Sequence, residues 1–247
     1  MNSKHFIVAT ASAASLLAAG AVFAAEESEG WQSSAELGIV NTSGNSETST
    51  VNAKFNSKKD GEEWRHSIAL SALGSSTTDT ATDIKTTSAE KYAFNGKSDY
   101  KFNEFDFLFI SLDHEKDRFS GYEFETTVAV GYGRRLVNDE DLTFDVEIGP
   151  GSRRVEVATT GQTETDAIVR TGAKLNWKIS ETATLTEDLT ADFSSEFDTI
   201  KSVTALTAKV NTSLALKVSL TIKNNSEVPV GTEKTDTETA VTLVYSF

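Results

Sequence analysis

The sequence predicts an all-β fold, an antiparallel up-and-down transmembrane β-barrel of about 12 strands. Three observations carry this prediction: apolar and polar residues alternate with period two after residue 25, short and long connections take turns, and no further apolar run reaches the ~18 residues of a membrane helix. Because successive strand side chains point to opposite faces, each segment is a ribbon with one apolar and one polar face.

The first element is an expected secretory signal peptide over residues 1–24. Lys4 supplies its positive start, residues 6–22 form an apolar Ala-rich stretch, and cleavage is expected after Ala24 or Ala25. A membrane anchor helix is the alternative, but the run is short and the acidic Glu26 follows at once. Residues 25–247 are then expected to form one outer-membrane barrel domain.

The alternating segments follow in chain order. Their apolar faces fall within 31–39, 51–55, 64–70, 92–94, 105–109, 124–132, 142–148, 167–177, 183–193, 206–210, 214–222 and 241–247. Short connections at 58–62, 102–104, 137–141, 179–181 and 211–213 alternate with longer ones at 42–48, 74–86, 116–122, 158–163, 194–199 and 224–235. This order is typical of barrels with short periplasmic turns and longer outer loops. Pro150 between two glycines predicts a bulge or kink in its strand.

Aromatic residues sort towards the ends of these segments. An aromatic girdle is expected at the rim that holds the chain termini, formed by Trp31, Trp64, Trp177, Tyr132 and Tyr245. A second girdle is expected at the other rim, towards which lie Tyr92, Phe109, Tyr122, Phe124, Phe193 and Phe197. The alternating C-terminal strand ends in Tyr245 and Phe247, which we interpret as the signal read by the outer-membrane assembly machinery.

Composition excludes several functions. The 247 residues include 23 Lys and Arg against 37 Asp and Glu, a formal net charge of −14. This acidic balance argues against a nucleic-acid partner. The absence of Cys excludes disulfide scaffolds, thiolate metal sites and cysteine nucleophiles. No metal site and no cofactor is expected, since no His, Asp and Glu cluster has zinc spacing.

Charges on the inner face are nearly balanced by parity. The candidate lumen-lining residues are Arg65, Lys97, Asp99, Asp106, Glu125, Arg135, Glu147, Arg170, Lys174 and Asp188. A balanced lumen can close itself with ion pairs, whereas a selective pore more often shows one dominant sign at its constriction. About twelve strands also leave a narrow interior, so a narrow or closed lumen is predicted.

No catalytic residue is expected, but one rim cluster supports an alternative. His114 follows Asp113 near the outer end of a strand, with Ser120 close by, and a carboxylate beside a His can make a general base. A hydrolase at this rim is therefore one alternative function. Local ion pairing in a solvated loop is the simpler interpretation of these charges.

Several stretches resemble a known family, the salt-induced outer membrane proteins, which is defined as a domain of unknown function. They are residues 35–45, 64–66, 117–122 (Asp-Arg-Phe-Ser-Gly-Tyr), 149–154 and 226–247. The resemblance implies an outer-membrane barrel without an established ligand or catalytic residues. The function expected is therefore a non-enzymatic barrel related to salt or envelope stress, with the lipid bilayer and lipopolysaccharide as partners. A small-solute diffusion channel and a soluble periplasmic β-protein are further alternatives.

Overall fold

The structure is a computed structural model that describes residues 30–42, 46–79, 82 and 84–247. The expected signal peptide, with Ala24 and Ala25, lies outside the described residues. Among the residues that the structure describes, no helix is long and apolar enough to cross a membrane.

Twelve strands form one antiparallel closed barrel in which each strand pairs with its neighbours in sequence. They are β1 (Gln32–Thr42), β2 (Ser46–Asp60), β3 (Trp64–Asp79), β4 (Ile84–Lys101), β5 (Asp106–Asp117), β6 (Tyr122–Asn138), β7 (Leu142–Val157), β8 (Thr163–Lys178), β9 (Ala183–Ser194), β10 (Thr199–Lys209), β11 (Leu214–Asn225) and β12 (Thr235–Ser246). The ring closes where β1 pairs with β12, and Ser33 and Phe247 exchange two backbone hydrogen bonds of 3.0 and 2.9 Å. The predicted fold class and strand number are confirmed.

The barrel has two different ends. We call the end that holds the start of β1 and the end of β12 the terminal rim; its turns are 61–63, 102–105, 139–141, 179–182 and 210–213. The opposite end is the loop rim, with connections 43–45, 80–83, 118–121, 158–162, 195–198 and 226–234.

The predicted contrast between short and long connections is weaker than expected. Most of the expected loop 74–86 is strand, because β3 continues to Asp79 and β4 begins at Ile84. Serines and threonines dominate this stretch and keep the extended conformation by pairing across the hairpin. The nine residues 226–234 are the longest connection between the described strands.

The bulge or kink expected at Pro150 affects the pairing with one of its two neighbouring strands. The register of β7 with β8 runs unbroken through Gly149, Pro150 and Gly151, which face Arg170, Val169 and Ile168. On the β6 side the pairing is interrupted here, because it passes from Ala129/Gly151 to Tyr132/Ile148 and pairs neither Gly149 nor Pro150. Register shifts lie elsewhere between the same two strands, at Tyr122/Phe124 and Arg135/Val137.

Strand β5 has the opposite phase to the one predicted. Phe107 and Phe109, expected on the apolar outer face, point inward and are 3% and 4% exposed, whereas Leu108 between them points outward and is 52% exposed. Room for both rings comes from glycines on β6: a Cβ added at Gly133 would meet the Phe107 ring at 2.2 Å, and one at Gly131 would meet Phe109 at 2.7 Å. Alternation alone was ambiguous, because residues of both parities are apolar from 107 to 110.

The shifted phase also corrects Asp106. This residue was predicted to line the lumen, but it precedes the inward-facing Phe107 and lies at the outer side of the terminal rim. There it forms an ion pair of 3.4 Å with Arg134 and accepts hydrogen bonds from the Tyr132 hydroxyl and from Asn103.

The aromatic residues expected in the girdle lie exposed around the terminal rim. The Trp64 ring lies 5.1 Å from that of Tyr100, and Tyr245 stacks on Phe247 at 5.7 Å. Trp31, Trp177 and Tyr132 are exposed on the same outer surface. Three of the aromatic residues expected in the girdle at the loop rim are not on the outer surface. Phe109, Tyr122 and Phe197 are instead buried inside the barrel.

Candidate functional site

The lumen is crossed by charged side chains in three layers. They follow one another along β5, where successive inward residues stand about 7 Å apart. The terminal layer consists of Arg65, Lys97, Asp99, Arg135, Asp145 and Glu147 beside Phe107 and Phe109; the middle layer of Ser111, Asp113, Arg170 and Asp192; and the loop layer of Lys91, Glu115, Glu125 and Lys223.

The loop layer joins opposite walls of the barrel. Lys223 on β11 donates hydrogen bonds to Glu115 on β5 at 2.9 Å and to Glu125 on β6 at 2.7 Å. β5 and β11 stand opposite each other in the ring of twelve strands. Lys91 on β4 adds a contact of 3.2 Å to Glu115. The Lys223 side chain, 9% exposed, therefore spans the lumen rather than lining one wall.

The middle layer is centred on the guanidinium of Arg170 on β8. Its Nε and Nη2 donate to the two carboxylate oxygens of Asp192 at 2.7 and 2.8 Å, a bidentate arrangement. Its Nη1 reaches across to β5, where it donates to Ser111 Oγ at 3.1 Å and to the Asp113 carboxylate. Arg170 thus connects two walls that are separated by β6 and β7.

The terminal layer is a network around Asp145. Arg65 on β3 donates to Asp99 at 2.6 Å and to Asp145 on β7 at 3.1 Å, and so reaches four strands around the ring. Arg135 donates to both Asp145 oxygens, at 2.7 and 3.0 Å. Every carboxylate in this group accepts from a cation, which offsets the cost of removing it from water.

Aromatic rings complete the terminal layer. The Arg65 guanidinium lies 4.9 Å from the centre of the Phe107 ring, and the Lys97 ammonium lies 5.1 Å from that of Phe109. Lys97 also pairs with Glu147 on β7 at 2.5 Å. These cation–π contacts hold the basic side chains over the two rings. The rings of β5 fill the space that Gly131 and Gly133 of β6 leave open.

Above the layers, a plug forms around Arg153 on β7, which has no exposed surface. Its guanidinium donates to Asp166 at 2.8 Å, to Ser194 at 2.9 Å and to Thr199 at 3.1 Å, and lies 3.5 Å from the Phe197 ring centre. Phe197 in turn stacks on Tyr122. The β9–β10 connection is thereby folded inward over the lumen.

The loops at the loop rim contact one another across the mouth. The long connection 226–234 reaches the β5–β6 turn, where a Cβ at Gly121 would lie 2.6 Å from Thr232 Oγ1 and 3.2 Å from Pro229. Gly121 has a φ of 82°, which favours glycine, and it lies in the Asp-Arg-Phe-Ser-Gly-Tyr stretch. Its carbonyl also accepts a hydrogen bond from Ala158 N at 3.0 Å.

The terminal end of the lumen is more open. Lys174 on β8 pairs with Asp188 on the adjacent strand β9 at 3.3 Å, and their side chains are 59% and 50% exposed. Both belong to the inward parity of their strands. This pair runs along one wall and leaves the lumen beside it accessible to water.

Of the ten predicted lumen-lining residues, the structure places nine on the inner face. Arg65, Lys97, Asp99, Arg135 and Glu147 meet in the terminal layer, Arg170 lies in the middle layer, Glu125 in the loop layer, and Lys174 and Asp188 form the open pair. Asp106 is the exception described above. The prediction omitted Glu115 because β5 had the wrong phase. It also omitted Arg153, although this residue has the parity of the inward-facing Asp145 and Glu147 on the same strand.

The three weak catalytic candidates do not come together. Asp113 points inward to Arg170, whereas His114, its neighbour on the strand, points outward, where its Nδ1 lies 2.8 Å from Thr126 Oγ1 and its ring faces Phe124. Ser120 donates to the Asp117 carbonyl at 3.0 Å within its turn. A general base formed by Asp113 and His114 is therefore excluded by the alternation of the strand.

A closed antiparallel barrel with apolar side chains outside and charged layers inside defines the class as that of porin-like outer-membrane β-barrels. The fold is similar to that of a solved NanC porin, with a TM-score of 0.51 and 10% sequence identity, over 88% of this chain and 99% of that chain. Residues 35–247 match the family described as "Protein of unknown function, DUF481", and the chain belongs to this family. A relative from Escherichia coli (strain K12), "Uncharacterized protein YdiY", is 30% identical over 210 residues, covering 85% of this chain and 80% of the relative.

Proposed function

We propose that this protein is a non-enzymatic outer-membrane barrel whose lumen is closed at rest by ion pairs between opposing walls. The observation that carries the proposal is the Lys223 ammonium, which holds Glu115 and Glu125 on the far side of the ring. An open pore needs a continuous path for water and ions, and a side chain anchored to both walls obstructs that path.

Two further features support closure. The middle and terminal layers place Arg170 and Arg65 across the same lumen at other depths. The plug around Arg153 and the contact of the 226–234 connection with Gly121 obstruct the mouth at the loop rim. Ion pairs are stronger where water is excluded than on an open surface, so several of them together hold the lumen shut.

Single-channel recording in planar bilayers tests the proposal. We expect no discrete current steps from the wild-type protein after its insertion is verified by protease protection. A variant that removes one cation from each layer, Arg65→Ser, Arg170→Ser and Lys223→Ser, is expected to conduct. Its remaining carboxylates would give the pore a preference for cations, which the reversal potential in a salt gradient measures.

A matched variant controls for the loss of three positive charges. Arg118→Ser, Lys174→Ser and Lys178→Ser remove three exposed basic side chains that do not span the lumen. This variant is expected to stay closed. Closure by ion pairs is refuted if the wild type and both variants conduct alike, or if the folded and inserted three-layer variant carries no current.

The resemblance to salt-induced outer membrane proteins supports a role in salt or envelope stress. A closed, acidic barrel adds surface to the envelope without adding a leak, which suits a cell in concentrated medium. A deletion strain of the source organism is expected to leak periplasmic enzyme after a salt upshift more than its parent. Equal leakage, with the protein detected in the parent envelope, argues against this role.

The second candidate is a small-solute diffusion channel. The similarity in fold to a NanC porin and the exposed Lys174–Asp188 pair favour it. Current steps from the wild type, unchanged in the three-layer variant, are the outcome that selects this function.

We also propose that the chain is exported and then assembled into the outer membrane. We expect a mature chain that begins after Ala24 or Ala25, which intact mass spectrometry of the membrane fraction measures. Phe247 closes the ring with Ser33 and stacks on Tyr245, and we propose that both aromatic residues serve recognition by the assembly machinery. Contact with lipopolysaccharide is expected at the loop rim if that rim faces outward.

A further inference from the structure

The seam between β1 and β12 is much shorter than the other contacts in the barrel. Its register covers four residue pairs, from Ser34 with Ser246 to Leu37 with Leu243. Each other neighbouring pair of strands is in register over at least ten residue pairs. β1 nevertheless continues to Thr42, in register with β2, and β12 begins at Thr235, in register with β11. The two strands still touch at Gly38, where an added Cβ would lie 2.7 Å from the Val241 carbonyl oxygen. The seam is therefore paired in its terminal half and unpaired beyond Gly38, in its loop half.

The outer surface changes character along the unpaired stretch. Thr237 and Thr239 of β12 are exposed there, at the levels of Ile222 and Leu220 on the neighbouring strand β11. On the other flank, Ile39 of β1 and its β2 partner stay apolar and exposed. The apolar outer surface thus continues on both sides of the seam, and β12 interrupts it with hydroxyl groups.

Open strand edges are costly within a membrane. Hydrocarbon offers no partner for backbone N–H and C=O groups, so lipid-exposed open edges do not occur at that depth. Non-helical backbone is tolerated at that depth only where it is buried in protein or lines a water-filled cavity. The polar threonines beside the unpaired stretch fit this requirement, because they make the outer surface there compatible with water or a polar group.

Polar side chains stand directly inside the opening. Asn52 on β2, 5% exposed, donates its amide to Glu238 of β12 at 2.9 Å, and Lys54 lies 3.9 Å from the same carboxylate. The Asn52 Oδ1 atom is buried and accepts no hydrogen bond. A buried acceptor without a donor is destabilising, so this position is prepared for a group that donates hydrogen bonds.

We propose that the loop half of the β1–β12 seam is a lateral opening, through which an amphiphile places a hydrogen-bond-donating, ammonium-bearing head group beside Asn52 and Glu238, where it donates to Asn52 Oδ1 and to the Glu238 carboxylate. The alkyl chain stays in the membrane beside Ile39, and the head group replaces the missing partner of Asn52 Oδ1. The opening is separate from the path along the barrel axis that the three charged layers close.

Engineered cysteine pairs test the opening, since the chain has no native Cys. Leu37→Cys with Leu243→Cys joins the paired half, and Asn41→Cys with Thr239→Cys joins the positions that would face each other if the register continued. Under mild oxidant the first pair is expected to crosslink at least about tenfold faster, because a disulfide requires Cα atoms within about 7 Å. Equal rates in the two folded variants overturn the opening.

Binding of dodecylamine tests the ligand class. In phosphatidylcholine nanodiscs, the wild-type barrel is expected to bind this amine above the level of empty nanodiscs. Asn52→Leu is expected to weaken binding by about tenfold or more, as loss of a charge-assisted hydrogen bond implies. Asn176→Leu, on the inner face of β8 at the terminal end, is the matched control and is expected to bind as the wild type does.

Two related amines test whether binding requires an N–H donor and whether it requires an alkyl chain. Dodecyltrimethylammonium has the same chain and charge but no N–H donor, and it is expected to bind about as weakly as dodecylamine binds to Asn52→Leu. Propylamine lacks the chain and is expected not to compete. Equal binding of the quaternary amine overturns the hydrogen-bond assignment, and effective competition by propylamine overturns entry from the membrane. Wild-type binding no higher than that of empty nanodiscs overturns the site.

Discussion

The two ends of the lumen handle the same charge chemistry in opposite ways. Near the loop rim, Arg153 has no exposed surface and Lys223 is anchored to two carboxylates on the far wall. At the terminal end, Lys174 pairs with Asp188 on the adjacent strand and stays more than half exposed. Ion pairs near the loop rim thus fill the lumen, whereas this pair, on the β8–β9 wall beside the terminal layer, leaves the lumen next to it accessible.

The difference depends on how far each cation reaches, because Arg153 and Lys174 both pair with a carboxylate on the adjacent strand. Lys174 pairs with Asp188 along the wall, whereas Arg153 also donates to Ser194 of β9 and Thr199 of β10 and lies against the Phe197 ring, which buries it. A pair between strands that stand opposite each other must cross the axis, and its charges lose most of their contact with water. Balanced charge on the inner face is therefore compatible with an open or a closed lumen, and the connectivity of the pairs decides between them.

The largest expected effect is on stability at the plug. Arg153→Leu leaves Asp166 buried without its cation, and we expect it to lower the free energy of unfolding by about 3–5 kcal/mol. Lys174→Leu removes an exposed partner and is expected to cost about 0–1 kcal/mol. Denaturant unfolding in lipid vesicles, followed by tryptophan fluorescence, measures both. Similar losses in the two variants would remove the distinction between the filled and the open end.

The next largest effect is expected on the stability of the packing between β5 and β6, where the Phe107 ring lies. In Gly133→Leu the new side chain occupies the place of the Phe107 ring, and we expect a loss of about 1–3 kcal/mol from overpacking. Gly74→Leu is the control, because nothing lies within 4 Å of a Cβ built there. Unfolding measured in the same vesicles compares the two. A neutral Gly133→Leu would show that the terminal layer has more free space than the contacts of Phe107 indicate.

Much of this architecture follows from the sequence, and the part that does not has a physical reason. Alternation gave the twelve strands because one face of every segment is apolar over several positions. It failed for β5, where residues 107–110 are apolar on both faces; the deciding feature is the pair Gly131 and Gly133 on the next strand.

The candidate site was less accessible to sequence reasoning. Parity placed Arg65, Arg170 and Lys174 on the inner face, but parity is the same for a pair along a wall and a pair across the axis. That distinction depends on register, strand tilt and side-chain reach, as the contact between Lys223 and Glu115, 108 residues apart in sequence, illustrates.

A smaller effect is expected in chemical accessibility. Lys174→Cys faces the open end of the lumen, whereas Ser111→Cys replaces a serine that is 7% exposed in the middle layer. We expect a charged methanethiosulfonate reagent to modify position 174 at least about tenfold faster, equivalent to a difference of ~1.4 kcal/mol in access. Comparable rates, measured by mass shift, would mean that the middle layer admits water and small ions.

The smallest effect is expected at His114. Its ring lies on the outer face, so His114→Ala is expected to change stability by about 0.5 kcal/mol or less and to leave conductance unaltered. Asp113→Ala, one residue away but bonded to Arg170, is expected to cost more. The reverse order in vesicle unfolding experiments would mean that the phase of β5 is wrong.

The current through the wild-type barrel is the decisive test of whether charged side chains close the lumen. Protein inserted in a planar bilayer, with insertion verified independently, is expected to give a flat trace at physiological salt. The variant with Arg65, Arg170 and Lys223 replaced by Ser is then expected to give discrete, cation-selective steps. Steps of equal size from the wild type and this variant would show that the charged layers do not close the lumen, and the protein would then be an open channel.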